Sequence, residues 1–400
     1  MGAAATCSMI MVNPEVVQGQ TTETNVIPSL SLSERYDSNV FFVPGGNLED
    51  YVTTVSPQLR VVHKRQLVEG TIGGGATAEA YAKNPGLNYV GANGLVNLNL
   101  NGAMSEMVRG LGLQISDTFN YTPQVPSFAA PTGGGGQISE SLVRGIQTQR
   151  ANSFTNVGTM AGSYAMSPLV ALTSTYTNSY IHFGSTIAPP AGSTQPALIN
   201  TTFQTVNSGP QIMLSAVDTV TLLYQYQQAD YGGSISGFNT HGGTAGWTHL
   251  LTPTLTSSLI GGGTFLSQTN HLHYVGSASL MWKFENTGAK VSYSRAVTPG
   301  FVGSGTAMLS QVVTVSASHQ ITQALSVSIN GNYAFNQSTP DSSLQQFKSY
   351  SVTPNVAYQI NRVMTATLSY TCSHFEQTFS SQESSFDRNI VLLRLFAEWK

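Results

Sequence analysis

Four hundred residues could make one large domain or two ordinary ones, but the charge content sets this chain apart from soluble proteins of that length. Asp, Glu, Lys and Arg make up 9% of it, where a soluble globular protein carries roughly 25%. A net charge of -3, with no basic patch or acidic tail, excludes a nucleic-acid binder, and two cysteines without zinc or haem spacing, Cys7 and Cys372, exclude a disulfide framework.

Taken in chain order, residues 1–23 read as a leader. Ala3, Ala4, Ala5, Ile10 and Val12, followed by Val17-Gln18-Gly19, suit the end of a secretory signal that lacks a basic n-region; an unstructured leader is the alternative. Residues 24–400 form one domain. From Val26 onward, segments of about 10 to 16 residues place apolar side chains on one parity and small polar ones on the other, the period of a strand. The segments 66–82 and 199–214 alternate poorly. Between Arg150 and Lys283 there is no Lys or Arg, and the acids there are Asp218 and Asp230. Such a stretch would aggregate as a water-exposed surface, and its Tyr, Leu, Ile, Val and Thr content argues against disorder. In Thr219 to Gln227, Val220, Leu222, Tyr224 and Tyr226 oppose Thr219, Thr221, Gln225 and Gln227. Further on, Leu272, Tyr274, Ala278, Leu280, Trp282 and Phe284 oppose His271, His273, Ser277, Ser279 and Lys283. Leu325 to Asn336 repeats the pattern, and Val391, Leu393, Leu395, Ala397 and Trp399 carry it to the end. That last strand, with its aromatic beside the terminus, resembles the C-terminal assembly signal of outer-membrane barrels.

The connections alternate in length. Short turns fall near Lys64-Arg65, Glu106 to Arg109, Ser167-Pro168, Ser215 to Asp218, Thr252 to Thr254, Glu285 to Gly288, Gln320 to Gln323 and Gln359 to Arg362. Nine longer links alternate with these eight, the longest from Pro123 to Arg150. Seventeen connections join eighteen strands, and the two weak segments leave sixteen as the alternative. Strands with one oily and one wet face, joined by short and long loops in turn, predict an all-β fold: a transmembrane antiparallel up-and-down β-barrel of about eighteen strands in the bacterial outer membrane, with both chain ends on the periplasmic, short-turn side. Closure follows from the solvent, because an unpaired backbone group in hydrocarbon costs several kcal/mol. No run of 18 apolar residues exists to form a helical span.

Within the first hairpin, the runs Leu32-Ser33-Glu34-Arg35-Tyr36-Asp37-Ser38-Asn39-Val40-Phe41 and Asp50-Tyr51-Val52-Thr53-Thr54-Val55-Ser56-Pro57-Gln58-Leu59 resemble the putative β-barrel porin family found beside exopolysaccharide and exosortase systems. The resemblance implies an outer-membrane location and either a porin or a polysaccharide-associated barrel. Tyr36, Asp37, Asn39 and Asp50 suit a rim, since Asp and Asn cap turns with their side chains, and Pro57 points to a strand end or a bulge.

No phosphate loop, haem motif or His-Glu-x-x-His motif is present, so neither an enzyme nor a cofactor is expected. His271 and His273 point the same way but lack a placed carboxylate or thiolate, which makes a solvated rim pair the expectation rather than a metal site. Lys283, Lys290, Arg394 and Glu398 fall on the polar parity and are therefore expected in the lumen, where charge is tolerated. With so few charges the lumen should discriminate weakly among ions, and its Ser, Thr, Asn and Gln suit neutral hydroxylated cargo. In the longest link, Gly133, Gly134, Gly135 and Gly136 offer a hinge, and Leu142 and Val143 could pack against a wall, so this loop is expected to control passage. The function expected is passive passage of small solutes or a neutral glycan. A scaffold barrel for polysaccharide export or for sheathing an electron carrier is the first alternative, and a soluble β-solenoid adhesin the second. Expected partners are outer-membrane lipid, the barrel assembly machinery, and an exopolysaccharide or a periplasmic protein.

Overall fold

The computed structural model describes residues 22–42, 48–124, 151–186, 198–233, 235–300, 307–339, 345–379 and 382–399. Eighteen antiparallel strands form one closed sheet. They are β1 (Glu23–Asp37), β2 (Asp50–Arg65), β3 (Val68–Tyr81), β4 (Tyr89–Asn99), β5 (Leu111–Gln124), β6 (Ala151–Ala165), β7 (Val170–Thr186), β8 (Thr201–Met213) and β9 (Asp218–Tyr231), then β10 (Phe238–Thr252), β11 (Leu255–Leu266), β12 (His271–Phe284), β13 (Thr287–Pro299), β14 (Ala307–Gln320), β15 (Leu325–Ser338), β16 (Gln345–Gln359), β17 (Met364–Phe379) and β18 (Gln382–Glu398). Each pairs with its sequence neighbours, and β1 pairs with β18 to close the ring. Among the described residues no helix is long and apolar enough to cross a membrane.

The two faces of the wall follow from strand geometry, in which successive side chains point to opposite sides. Leu30, Leu32, Leu59, Tyr224, Trp247, Leu280, Leu368 and Leu393 lie exposed on the outside. Ser29, Ser31 and Ser33 of β1 are half-buried on the lumen side. In an aqueous globule that outer surface would have to be covered; against lipid it is solvated by hydrocarbon.

Both weakly patterned segments are strands, β3 and β8, which settles the number at eighteen. Their patterning is weak because their outward residues are poor in large aliphatics: Gly70, Ile72, Gly74, Ala76 and Ala78 on β3, and Thr202, Gln204, Val206 and Ser208 on β8, where Phe203 points inward. Pro57 lies in the middle of β2, neither at a strand end nor in a bulge. Pairing with β3 is interrupted between Val55↔Ala78 and Gln58↔Gly75, yet the register is the same on both sides. A proline there loses one ladder bond and nothing more. The turn expected near Glu106 to Arg109 is present at Val108 to Gly110, but a short helix, α1 (Asn101–Met107), precedes it. Asn101 N–H donates to the Asn99 side chain at 3.1 Å, and Ala103 N–H to Leu67 O at 3.0 Å, so α1 lies across the neighbouring turn. Gly102 permits this, since a Cβ there would meet Leu67 Cα at 2.8 Å.

Candidate functional site: the lumen and its long-loop mouth

At mid-height the lumen wall is a belt of small polar side chains that pair across strands. Ser56 bonds to Thr77 at 3.0 Å, Thr159 to Thr177 at 3.2 Å, Thr248 to Ser258 at 3.2 Å and Thr353 to Thr371 at 2.9 Å. Asn332 donates to Ser351 at 2.8 Å. The contacts recur on widely spaced strands, so the belt runs round the ring.

Arg394 and Glu398 sit on the inner face of β18, opposite Ser33 and Ser29 of β1. Arg394 Nε donates to Ser31 at 2.7 Å with its guanidinium 5.2 Å from the Phe396 ring, and Glu398 accepts from Arg60 at 2.9 Å. Lys283 and Lys290 share the lumen parity of β12 and β13 near their short turn, Lys290 opposite Met281. The lumen holds more charge than those four residues. Arg35, Asp37, Arg60, Glu79 and Arg388 also face inward, all on β1, β2, β3 and β18. Most are matched: Arg35 with Glu79 at 3.2 Å, Arg60 with Glu398, and Arg388 with Asp37. The same parity that placed Arg394 also places Arg35 and Asp37, after Ser29, Ser31 and Ser33.

Toward the long-loop end the wall changes character and becomes packed. Asp37, 1% exposed, accepts from Nε of Arg388 at 2.9 Å and from its Nη2, a two-pronged buried ion pair. Phe42, from the link after β1, lies beneath that guanidinium, 4.2 Å from its Cζ, and meets Phe375 and Phe386 of the inner wall edge-on. Its φ of 57° is one that bulky residues rarely adopt, so packing holds the ring where the backbone alone would not. Asp50 is also buried; it accepts from the N–H groups of Lys83 and Asn84 at 2.8 and 2.9 Å and so fastens the link after β3. Asn39 N–H donates to Asp37 at 3.2 Å, and Tyr36 on the outer side donates to Glu49 at 2.8 Å. Lys83 donates to Glu49, which keeps that carboxyl below the usual carboxylate range and in turn raises the Lys83 ammonium.

A second element enters the mouth from the far side. Pairing of β12 with β11 runs out to His271, but its pairing with β13 stops at Gly276↔Arg295, while β13 and β14 stay paired out to Pro299↔Ala307. The tip of this hairpin thus parts from β12, while β14 stays paired with β15 out to Met308↔Ser338. It bends inward, because Ala296 to Pro299 and Ala307 to Ser310 are buried on both parities. Met308 packs with Phe42, Phe347, Phe375 and Phe386. Val297 and Leu309, on the other side of the tip, pack with Ile199, Phe203, Tyr231, Phe238 and Leu266. The Tyr231 hydroxyl is hydrogen-bonded to the backbone of Gly300. His273 shares the lumen side with His271, their rings 6.5 Å apart, and contacts Thr339 at 3.0 Å. Among the described residues no cluster of three metal-ligating side chains forms. Gly133 to Gly136, Leu142 and Val143 lie outside the described residues. Cys372 is exposed on the outward parity, opposite Val352.

Residues 273–398, which run from β12 through β18, match the family model described as Putative beta-barrel porin 2. The family resemblance of the first hairpin therefore has a second, separate match at the other end of the chain. No curated protein matches. Among solved structures the chain is similar to OccK5 (OpdH) of Pseudomonas aeruginosa, with 9% identity, a TM-score of 0.47 and coverage of 94% of this chain and 99% of that one. It is also similar to OpdQ of the same organism, with 10% identity, a TM-score of 0.47 and coverage of 94% and 100%. OccAB3 of Acinetobacter baumannii gives 10% identity, a TM-score of 0.46 and coverage of 94% and 99%.

Proposed function

Starting from a porin-like β-barrel of the outer-membrane type, we propose that the molecule is a non-enzymatic channel for small, uncharged, hydroxyl-bearing solutes, neutral glycans among them. The short turns and both chain ends face the periplasm, and the packed long-loop mouth faces outward. The observation that carries this reading is the belt of hydroxyl and amide pairs around the lumen. Such groups exchange hydrogen bonds with a passing sugar at little net cost, because each bond lost is replaced by one of similar strength. The inward charges are mostly neutralised by neighbours of opposite sign, which leaves little field to select ions.

Swelling of proteoliposomes in uncharged sugars of increasing size tests this reading. Sugars should enter, and the reversal potential in a salt gradient should stay near zero. A strong preference for one sign of ion, or exclusion of every sugar even after the mouth is loosened, would overturn it. The packed mouth favours a second reading, a scaffold barrel that holds an exopolysaccharide or a periplasmic partner without passing solutes. Phe42→Ala separates the two, because a channel should gain conductance from it and a scaffold should not.

A further inference from the structure

The outward face of β5 to β9 carries a polar row; the outward charges of β16 to β18, Lys348, Glu376, His374 and Asp387, lie closer to the long-loop ends of their strands. Asp117 lies on the parity of Ile115, Phe119 and Tyr121, and across the strands it is aligned with Gly158, Asn178, Gln204 and Gln228. Asn156, next to it, donates to both carboxylate oxygens at 3.0 and 3.2 Å. The Oδ1 of Asn178 is covered without receiving a donor. This polar row lies inside the apolar band. One step toward the short turns are Met160 and Tyr176, both exposed; toward the loops lies an aromatic shelf, with Phe119 stacked on Phe154 at 6.5 Å and Phe154 against Tyr180 at 6.2 Å. On β11 to β16 the outward positions in the band include Leu259, Leu280, Val291, Val315, Ile329 and Val356.

An ionisable side chain facing lipid is costly and marks a site that something else covers. Lipid tails offer it no hydrogen bond, and the headgroups lie beyond the aromatic shelf. We propose that this face is where a second copy of the chain packs in the membrane. Two features on the surface fit a second copy. The row mixes an acceptor, Asp117, with Asn and Gln amides that both donate and accept, so it is complementary to itself, as a two-fold contact requires. Its extent also suffices: five adjoining strands, β5 to β9, at about 4.8 Å spacing and across an apolar band about 25 Å tall, present roughly 600 Å², the lower end of the ~600–1,000 Å² per partner of a standard stable interface. This inference needs the barrel to sit in a membrane and is independent of what the lumen carries.

Single-cysteine cross-linking in native membranes tests it, with Cys7→Ser and Cys372→Ser as the background. Ser174→Cys, outward on β7, should give a disulfide-linked dimer on oxidation, and Ala317→Cys, outward on β14, should not. Native mass spectrometry in mild detergent should show two copies for the unmodified protein and one for Asp117→Leu/Asn178→Leu. Heat-modifiable migration of that variant would show that it still folds. A unmodified protein that remains monomeric, cross-links only through Ala317→Cys, an assembly of three copies, or a folded double variant that still dimerises would each overturn the proposal.

Discussion

Phe42, Asp37 and Arg388 act together at the mouth. The ion pair is buried, and removing one partner of such a pair leaves a charge without compensation at a cost of about 3–5 kcal/mol. Arg388→Met should therefore lower the free energy of unfolding measured by denaturant in detergent by an amount of that order. Because the guanidinium also covers the Phe42 ring, the same variant should loosen the mouth, and single-channel records should show larger or noisier currents. Phe42→Gly is expected to behave differently. It relieves the left-handed backbone and empties the aromatic cluster, so conductance should rise with less loss of stability than Arg388→Met causes. Equal losses in the two variants would show that the ion pair and the ring cannot be treated apart. The sequence suggested a turn-capping part for Asp37 and Asn39 from residue type alone. It gave no sign that Asp37 would be neutralised by a residue 351 positions away, because that partner is fixed only by ring closure.

At the scale of elements, the bent tip of β13 and β14 is the feature least visible beforehand. Parity identified both strands, since alternation depends only on which face each side chain takes. Parity cannot tell whether the end of a hairpin keeps both neighbouring strands or parts from one, and Val297 and Leu309 continue the outward parity while lying buried inside the mouth. A signal was present in composition: Ala307-Met308-Leu309 is an apolar run at a hairpin tip, where loops are ordinarily polar. If this packing narrows the lumen, Val297→Ser/Leu309→Ser should increase sugar flux while leaving heat-modifiability intact. Unchanged flux in the folded variant would assign the constriction to other elements. The link between β5 and β6 provides a parallel test, because deletion of Thr132 to Thr148 should raise flux only if that loop reaches the pore. Most of the belt of Ser, Thr and Asn was legible from the sequence, because its members lie on the polar parity of regular strands; Thr77, on the poorly alternating β3, is the exception. Helix α1 was not, since seven residues leave no periodic pattern to read.

For the whole molecule, the closed sheet predicts that unboiled protein in detergent migrates differently from boiled protein and gives a β-rich circular dichroism spectrum. A folded, fully soluble monomer without detergent would be incompatible with the exposed outer face. Strand count and connection order were accessible from the sequence because period and loop length are local properties. Lumen charge was underestimated because Arg35 and Arg388 lie toward the long-loop ends of β1 and β18, beyond the clearest alternation, Glu79 lies on the poorly alternating β3, and their pairing depends on strands far apart in the chain.

The seam between β1 and β18 bears on how the molecule is made. It joins residues from Ser29↔Glu398 to Asp37↔Ile390, a shorter ladder than that between β1 and β2, which runs from Glu23↔Lys64 to Asp37↔Asp50. Side chains reinforce it: Arg388 to Asp37, Arg394 to Ser31, and Arg60 of β2 reaching past β1 to Glu398. Every other pairing joins strands consecutive in the chain, but this one must wait until the first and last strands meet. Until then the first strand carries an unsatisfied edge that could zip onto a neighbouring chain. Folding is thus a race between ring closure and templated aggregation, and the long-range ion pairs favour closure by making the correct edge the stickier one.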